Sequence, residues 1–256
     1  MNSILGRSAR IAAATAAAVT LAWATAGAAG PTFLAWGACR GAPTASAAAV
    51  FDCNPTAASG YVLVGTFGLA DSLKGAYAME ANLDLTFPGV SAVPAFWEIS
   101  QAGCNATGLV TIKNPPDDCS GHASAFCAGD TTLCDILYSS ASIRGPNTLR
   151  LAFTVSRARA DSVDLAPLPD RYHGFSLFLL MGNAGLCSGC LEPVAIVWNT
   201  GYLFSVDLNG QDRPVVGVDS GDPMAEPCAA VNGGASACGA TPVRSRTWGA
   251  LKALYR

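Results

Sequence analysis

The fold of this chain is decided by two apolar runs, His173-Gly-Phe-Ser-Leu-Phe-Leu-Leu-Met-Gly-Asn183 and Val194-Ala-Ile-Val-Trp-Asn-Thr-Gly-Tyr-Leu-Phe-Ser-Val-Asp-Leu208. Both are rich in aromatic and β-branched residues, which favour strands. In the first run, apolar side chains occupy both sets of alternate positions, as is typical of a strand buried on both faces. We therefore predict that the two runs form the central hairpin of a β-sandwich.

Other segments show the two-residue period of a strand with one buried face. From Met79 to Phe87, five apolar residues alternate with four polar ones. The run from Thr148 to Arg157 alternates in the same way. Further strands are expected at Tyr61 to Leu69, Leu109 to Lys113 and Ile136 to Ile143, with a long loop over Asn114 to Asp135. Many short strands separated by turns predict an all-β, antiparallel sandwich.

Residues 1–29 have the layout of a secretory signal peptide. Arg7 and Arg10 precede an apolar, alanine-rich run, and Ala24-Thr-Ala26 and Ala26-Gly-Ala28 both fit a cleavage site. An uncleaved anchor helix is the alternative. The sequence offers no other candidate for a membrane span. We therefore expect a mature chain without a span, secreted to the extracellular space or cell surface, with the periplasm as a further option.

The charge balance argues against nucleic acid as a partner. The chain carries 15 Lys and Arg against 18 Asp and Glu, and removal of the signal peptide would make it more acidic. It has no cluster of Lys and Arg that could follow a phosphate backbone. An extracellular protein or a glycan is the expected partner.

Ten cysteines follow the signal segment, and an even count behind an export signal predicts disulfides. Connectivity cannot be deduced from a sequence, so we take nearest-neighbour pairing as the working hypothesis. It gives Cys39–Cys53, Cys104–Cys119, Cys127–Cys134, Cys187–Cys190 and Cys228–Cys238. Redox and zinc roles for Cys187-Ser-Gly-Cys190 are alternatives, although a redox pair needs a helix N-terminus and a zinc site needs more ligands.

The chain is expected to divide into five segments. After the signal peptide come a linker over 30–49, the sandwich over 50–212 and an irregular Gly/Pro-rich tail over 213–243. Residues 244–256 then predict a short amphipathic C-terminal helix, because Trp248, Leu251 and Tyr255 share one face. That face could dock onto a partner or pack on the protein's own sandwich.

The order of strands and turns resembles the cohesin-type β-sandwiches and their carbohydrate-binding-module-like relatives. The resemblance rests on Val62 to Phe67 followed by Leu73-Lys-Gly75 and Ala76 to Phe87, on the run that starts at His173, and on Pro193 to Val206. It implies a cohesin, jelly-roll or immunoglobulin-like sandwich with a binding role. The many cysteines depart from typical cohesins.

Few residues point to catalysis. His122 and His173 are the only histidines, and no Gly-x-Ser-x-Gly elbow frames a nucleophile, so we expect two partly exposed loop histidines. Glu98 and Glu192 have aromatic or apolar neighbours and are the candidates for a carboxylate pair of a glycoside hydrolase. Our hypothesis is that the protein is not an enzyme.

Two kinds of binding site are candidates. Asp207, Asn209 and Asp212 cluster oxygen ligands in a faint calcium-loop pattern, although a plain Asn-Gly turn explains them too. Calcium is the only cofactor considered. Exposed aromatic side chains could stack on sugars, and the candidates for such a platform are Phe96, Trp97, Tyr172, Trp198 and Tyr202. Trp97 and Tyr172 are preferred because they lie at predicted strand ends. Non-catalytic adhesion or surface assembly is the expected function, with carbohydrate binding and hydrolysis as alternatives.

Overall fold

The computed structural model describes residues 29–54, 60–113, 115–127, 132, 134–167, 171–207, 215–217 and 226–238. It contains thirteen strands among these residues. In chain order they are β1 (Ala29–Trp36), β2 (Ala48–Ala49), β3 (Gly60–Leu69), β4 (Leu73–Thr86), β5 (Leu109–Ile112), β6 (His122–Ser124), β7 (Cys134–Gly145), β8 (Thr148–Arg157), β9 (Val163–Leu165), β10 (Arg171–Leu180), β11 (Val194–Ser205), β12 (Val215–Val216) and β13 (Cys228–Val231). Short 3₁₀ helices span Ala95–Trp97 and Arg159–Asp161, and a one-turn α-helix spans Ala235–Cys238.

The strands form two sheets that pack into a sandwich. Sheet A has the order β1-β3-β10-β5, and β6 pairs with β10 in parallel. Sheet B has the order β2-β13-β11-β4-β8-β7, with β12 on β11 and β9 on β4. Most pairs are antiparallel. The predicted fold class, an all-β antiparallel sandwich with disulfide-linked loops, is confirmed, and a short helix lies toward the C-terminus at Ala235–Cys238.

The two apolar runs do not form a hairpin, which corrects the prediction. β10 lies in sheet A and β11 in sheet B, so the runs face each other across the core. The Phe175 ring packs edge-on against Trp198, with centroids 4.9 Å apart, and against Phe153, at 4.7 Å. The long loop between β10 and β11 allows the chain to cross from one sheet to the other. On the outer face of sheet A, Ser176 is buried, Phe178 and Leu180 are half-buried, and Cys39 and Cys119 pack against Val64.

All ten cysteines pair, but three of the five expected pairs are wrong. Cys127–Cys134 and Cys228–Cys238 close short loops as expected. The others join distant segments, as Cys39–Cys119, Cys53–Cys190 and Cys104–Cys187. Sequence proximity failed as a guide because the sandwich brings the ends of remote strands together. Five disulfides are typical of proteins that fold in an oxidising compartment.

The sandwich extends beyond the predicted limits of 50–212. The expected linker over 30–49 contains β1 and β2, and the expected irregular tail contains β12 and β13. β13 pairs with β11 over four residues and therefore belongs to the body of sheet B. The signal segment up to residue 28 and the predicted helix over 244–256 lie outside the described residues. Within the described part of the chain, no helix is long and apolar enough to cross a membrane.

Candidate functional site

The outer face of sheet B is the candidate site, and the alternation of β4 creates it. Met79, Leu83 and Leu85 are buried in the core, while Glu80, Asn82 and Asp84 lie on the opposite face and are partly exposed. Register places their neighbours on the same face. Tyr202 and Thr154 flank Glu80, Thr200 and Ala152 flank Asn82, and Val197 and Arg150 flank Asp84.

An ion pair orders the polar end of this face. Arg150 donates from Nε to Asp84 Oδ1 at 2.6 Å and from Nη2 to Oδ2 at 2.7 Å. Asn199 also donates its amide to Asp84 Oδ2. The β11 register shifts between Trp198 and Thr200, and this bulge turns Asn199 toward Asp84. Three planar polar side chains are thereby held in fixed orientations, which suits hydrogen bonding to a ligand.

Three aromatic side chains occupy the other end of the face, and we call them the aromatic patch: Tyr77, Tyr202 and Phe204. Tyr202 is 38% exposed, and Phe204 follows two residues later on the same side of β11. The rings of Tyr77 and Phe204 lie 6.3 Å apart, and the Arg159 guanidinium lies 5.5 Å from the Tyr77 centroid. Aromatic rings on a partly exposed sheet face provide apolar surfaces for stacking.

The preferred aromatic candidates are buried, which corrects the prediction. Trp97 is 0% exposed, because the 3₁₀ helix turns it inward against Phe51, Phe87 and Phe96. Tyr172 is 6% exposed; its ring packs on Phe67 and its hydroxyl accepts a hydrogen bond from the Ala166 amide.

Among the remaining candidates, Phe96 and Trp198 are buried and Tyr202 alone is exposed. The sequence did not indicate Tyr77 or Phe204 as candidates, although each lies beside residues that alternate between apolar and polar. Phe204 could have been found from its two-residue spacing to Tyr202. Tyr77 depends on the register shift between Phe204 and Ser205, which no local pattern signals.

The histidines are not loop residues, contrary to expectation. His173 lies in β10, is 3% exposed, and its Nε2 lies 2.8 Å from Ser176 Oγ. Burial, and secondarily the charge of His122, lowers the pKa of His173 to about 4, so the ring is neutral near pH 7. His122 lies in β6, partly buried. Ser176 is also buried, and Cys39 and Cys119 pack against Val64, its neighbour on β3. We therefore treat the His173 and Ser176 pair as part of the packing.

Three further sets of sequence candidates remain: the Cys187 and Cys190 pair, the Glu98 and Glu192 pair, and Asn105. Cys187 and Cys190 bind different cysteines, which excludes a redox pair or zinc ligation between them. Glu98 follows the first 3₁₀ helix and Glu192 precedes β11, at loops that Cys104–Cys187 joins. Asn105-Ala-Thr107 matches a glycosylation acceptor in sequence, but Asn105 is buried and donates to the Phe96 carbonyl, so the folded chain cannot carry a glycan there.

The calcium and partner-docking candidates are mostly outside the described residues. Asp207 is exposed, whereas Asn209 and Asp212 fall in an undescribed stretch, as do Trp248, Leu251 and Tyr255. Among the described residues, no group of three or more His, Cys, Asp or Glu side chains could hold a metal. Calcium binding and docking of the C-terminal segment stay predictions.

Comparison with known proteins adds no relative: no family model, no curated protein and no solved structure matches this chain. The resemblance to cohesins and carbohydrate-binding modules therefore stays a prediction. Function has to be argued from the outer face of sheet B itself.

Proposed function

We propose that this protein is an exported, non-catalytic β-sandwich that binds an extracellular glycan through the outer face of sheet B. The observation that carries the proposal is the exposed Tyr202 beside a row of oriented polar side chains. A sugar ring has an apolar face that stacks on aromatic rings and hydroxyl groups that bond to carboxylates, amides and guanidinium groups. The aromatic patch and the Asp84, Arg150 and Asn199 cluster offer both kinds of contact on one sheet.

The disulfides support the export part of the proposal. Five bonds, three of them between distant segments, require an oxidising compartment for folding. A signal peptide over residues 1–29 would deliver the chain there. Both features together support an extracellular or cell-surface location.

A glycan array with the purified mature chain tests the binding. We expect saturable binding to at least one glycan class, with a loss of roughly tenfold in Tyr202→Ala, because one stacked aromatic side chain contributes about 0.5–1.5 kcal/mol beyond the area it buries. Leu186→Ala is the matched control, since Leu186 is 84% exposed in a loop and its loss should leave binding unchanged. Silence across the array would reject glycan binding and favour adhesion to an extracellular protein.

A further inference from the structure

A cavity of about 350 Å³ opens where β7 begins and β8 ends. Thr132, Asp135, Ser156, Arg157 and Asp161 line it, and Cys134 anchors its wall through the Cys127–Cys134 disulfide. The volume is comparable with that of small-ligand sites. Its lining residues belong neither to the aromatic patch nor to the Asp84, Arg150 and Asn199 cluster.

Arg157 is the residue that gives the cavity a chemical preference. Its Nε and Nη1 atoms are buried, and no described residue accepts a hydrogen bond from either. Arg150, seven residues earlier on β8 and on the opposite face of the strand, has a carboxylate partner in Asp84. A buried guanidinium nitrogen without an acceptor destabilises the fold unless water or a ligand supplies one. Carboxylate and sulfate groups are the acceptors that best match a guanidinium.

The acids around the cavity leave room for an anion. Asp135 is bound by Lys113, with Nζ to Oδ1 at 3.0 Å, and Lys113 also donates to the Cys134 carbonyl at 2.7 Å. The charge of Asp135 is therefore largely compensated. Asp161 is exposed to water, which screens its charge, and Arg159 stands two residues before it.

The cavity adjoins the aromatic patch. Register places Phe204, Ala78 and Ser156 side by side on β11, β4 and β8, so Ser156 lies two strand spacings, roughly 10 Å, from Phe204. Arg159, which follows β8, reaches the Tyr77 ring. Ser156 and Asp135 lie at outward-facing positions, whereas Arg157 pairs with Cys134 at inward-facing ones, so the cavity opens at the outer face and Arg157 lies deeper in it. One oligosaccharide on the aromatic patch could therefore reach the opening of the cavity.

We propose that the glycan is acidic, and that Arg157 binds the carboxylate or sulfate group of one of its sugars. This inference rests on the proposed function, because it assumes that a glycan occupies the aromatic patch. A polymer of neutral sugars would offer the Arg157 nitrogens only hydroxyl oxygens, which are weaker acceptors than a charged group, and would bind more weakly.

The test measures affinity for three polymers: polygalacturonate, a sulfated dextran and unmodified dextran. We expect at least one acidic polymer to bind roughly tenfold or more tightly than the neutral one, and Arg157→Gln to remove that preference. The two acidic polymers distinguish a carboxylate from a sulfate ligand. Arg144→Gln is the control, because it removes the same charge from an exposed position on β7 and should keep the preference.

Each outcome decides between the two proposals. If acidic and neutral polymers bound equally well, and Tyr202→Ala abolished that binding, the role of Arg157 would be overturned and glycan binding would stand. If Arg157→Gln and Arg144→Gln lowered the preference for acidic polymers equally, the preference would come from the overall charge of the protein. That result would also overturn the role of Arg157. Absence of binding to all three polymers would overturn the role of Arg157, and the glycan array would then decide whether glycan binding itself stands. If Arg157→Gln fails to fold, Arg157→Lys keeps the charge without the planar fork and should lower the preference severalfold.

Discussion

Gly65 lies directly opposite Phe175 in the pairing of β3 with β10, and a Cβ atom on Gly65 would overlap the Phe175 ring. The missing side chain lets the ring lie over β3 while it contacts Phe153 and Trp198 of sheet B. One glycine in sheet A thus supports the aromatic contact between the two sheets.

Gly65→Ala should therefore destabilise the protein by about 1–3 kcal/mol, since overpacking forces the ring away from its site. Chemical denaturation of the variant measures the effect. Gly182→Ala is the matched control, because no atom lies within 4 Å of the added Cβ, and its stability should be unchanged or slightly raised. Equal stabilities for the two variants would contradict the packing described here.

The ion pair on the outer face of sheet B should couple Asp84 to Arg150. Both side chains are 20% exposed and form two parallel hydrogen bonds, a geometry stronger than that of most surface pairs. A double-mutant cycle with Asp84→Ala and Arg150→Ala should give a coupling energy of about 1 kcal/mol, decreasing with added salt. Strictly additive single variants would show that the pair is not formed in solution.

A strand could be predicted where its own residues alternate between apolar and polar. β4 and β8 alternate over nine or more residues, and both were recognised from that period alone. Strand pairing depends instead on contacts between residues far apart in sequence. The assignment of β10 and β11 to one hairpin failed for this reason, because a connection of similar length can also cross between sheets.

The candidate site was predictable only in part, for a related reason. Tyr202 could be named from the sequence, but its exposure follows from its place opposite Glu80 on the solvent side of sheet B. The prolines and glycine that precede Trp97 in the sequence are typical of an exposed loop, yet the 3₁₀ helix directs its side chain into the core. Nothing in the sequence distinguishes Arg157, because the lack of an acceptor for its Nε and Nη1 atoms arises only in the folded structure.

The long-range disulfides should stabilise the fold more than the short ones. Cys104–Cys187 spans 83 residues and Cys127–Cys134 spans 7. Loop-closure entropy of the unfolded chain assigns them about 4.5 and about 2.5 kcal/mol. We expect the double Ser variant at Cys104 and Cys187 to lose more stability than the one at Cys127 and Cys134. Peptide mapping under non-reducing conditions must also recover Cys104 joined to Cys187; a Cys187–Cys190 peptide would contradict the structure.

His173 should make the stability pH-dependent below neutrality. Burial, with a smaller effect from His122, lowers its pKa from the usual 6.5 to about 4 in the folded state. The unfolded chain therefore binds a proton in this range while the folded chain does not, so stability is complete above about pH 6.5 and falls as the pH approaches 4. The loss from this residue amounts to about 3 kcal/mol over the range.

The measurement is the free energy of unfolding from pH 7 to pH 4, compared between the wild type and His173→Gln. Carboxylates also titrate over this interval, but their contribution is common to both proteins, and the difference isolates His173. We expect the variant to start less stable at pH 7, because Ser176 loses an imidazole partner, and to lose less stability on acidification. Parallel curves for the two proteins would mean that the ring is accessible to solvent, which would contradict the burial of His173 in β10.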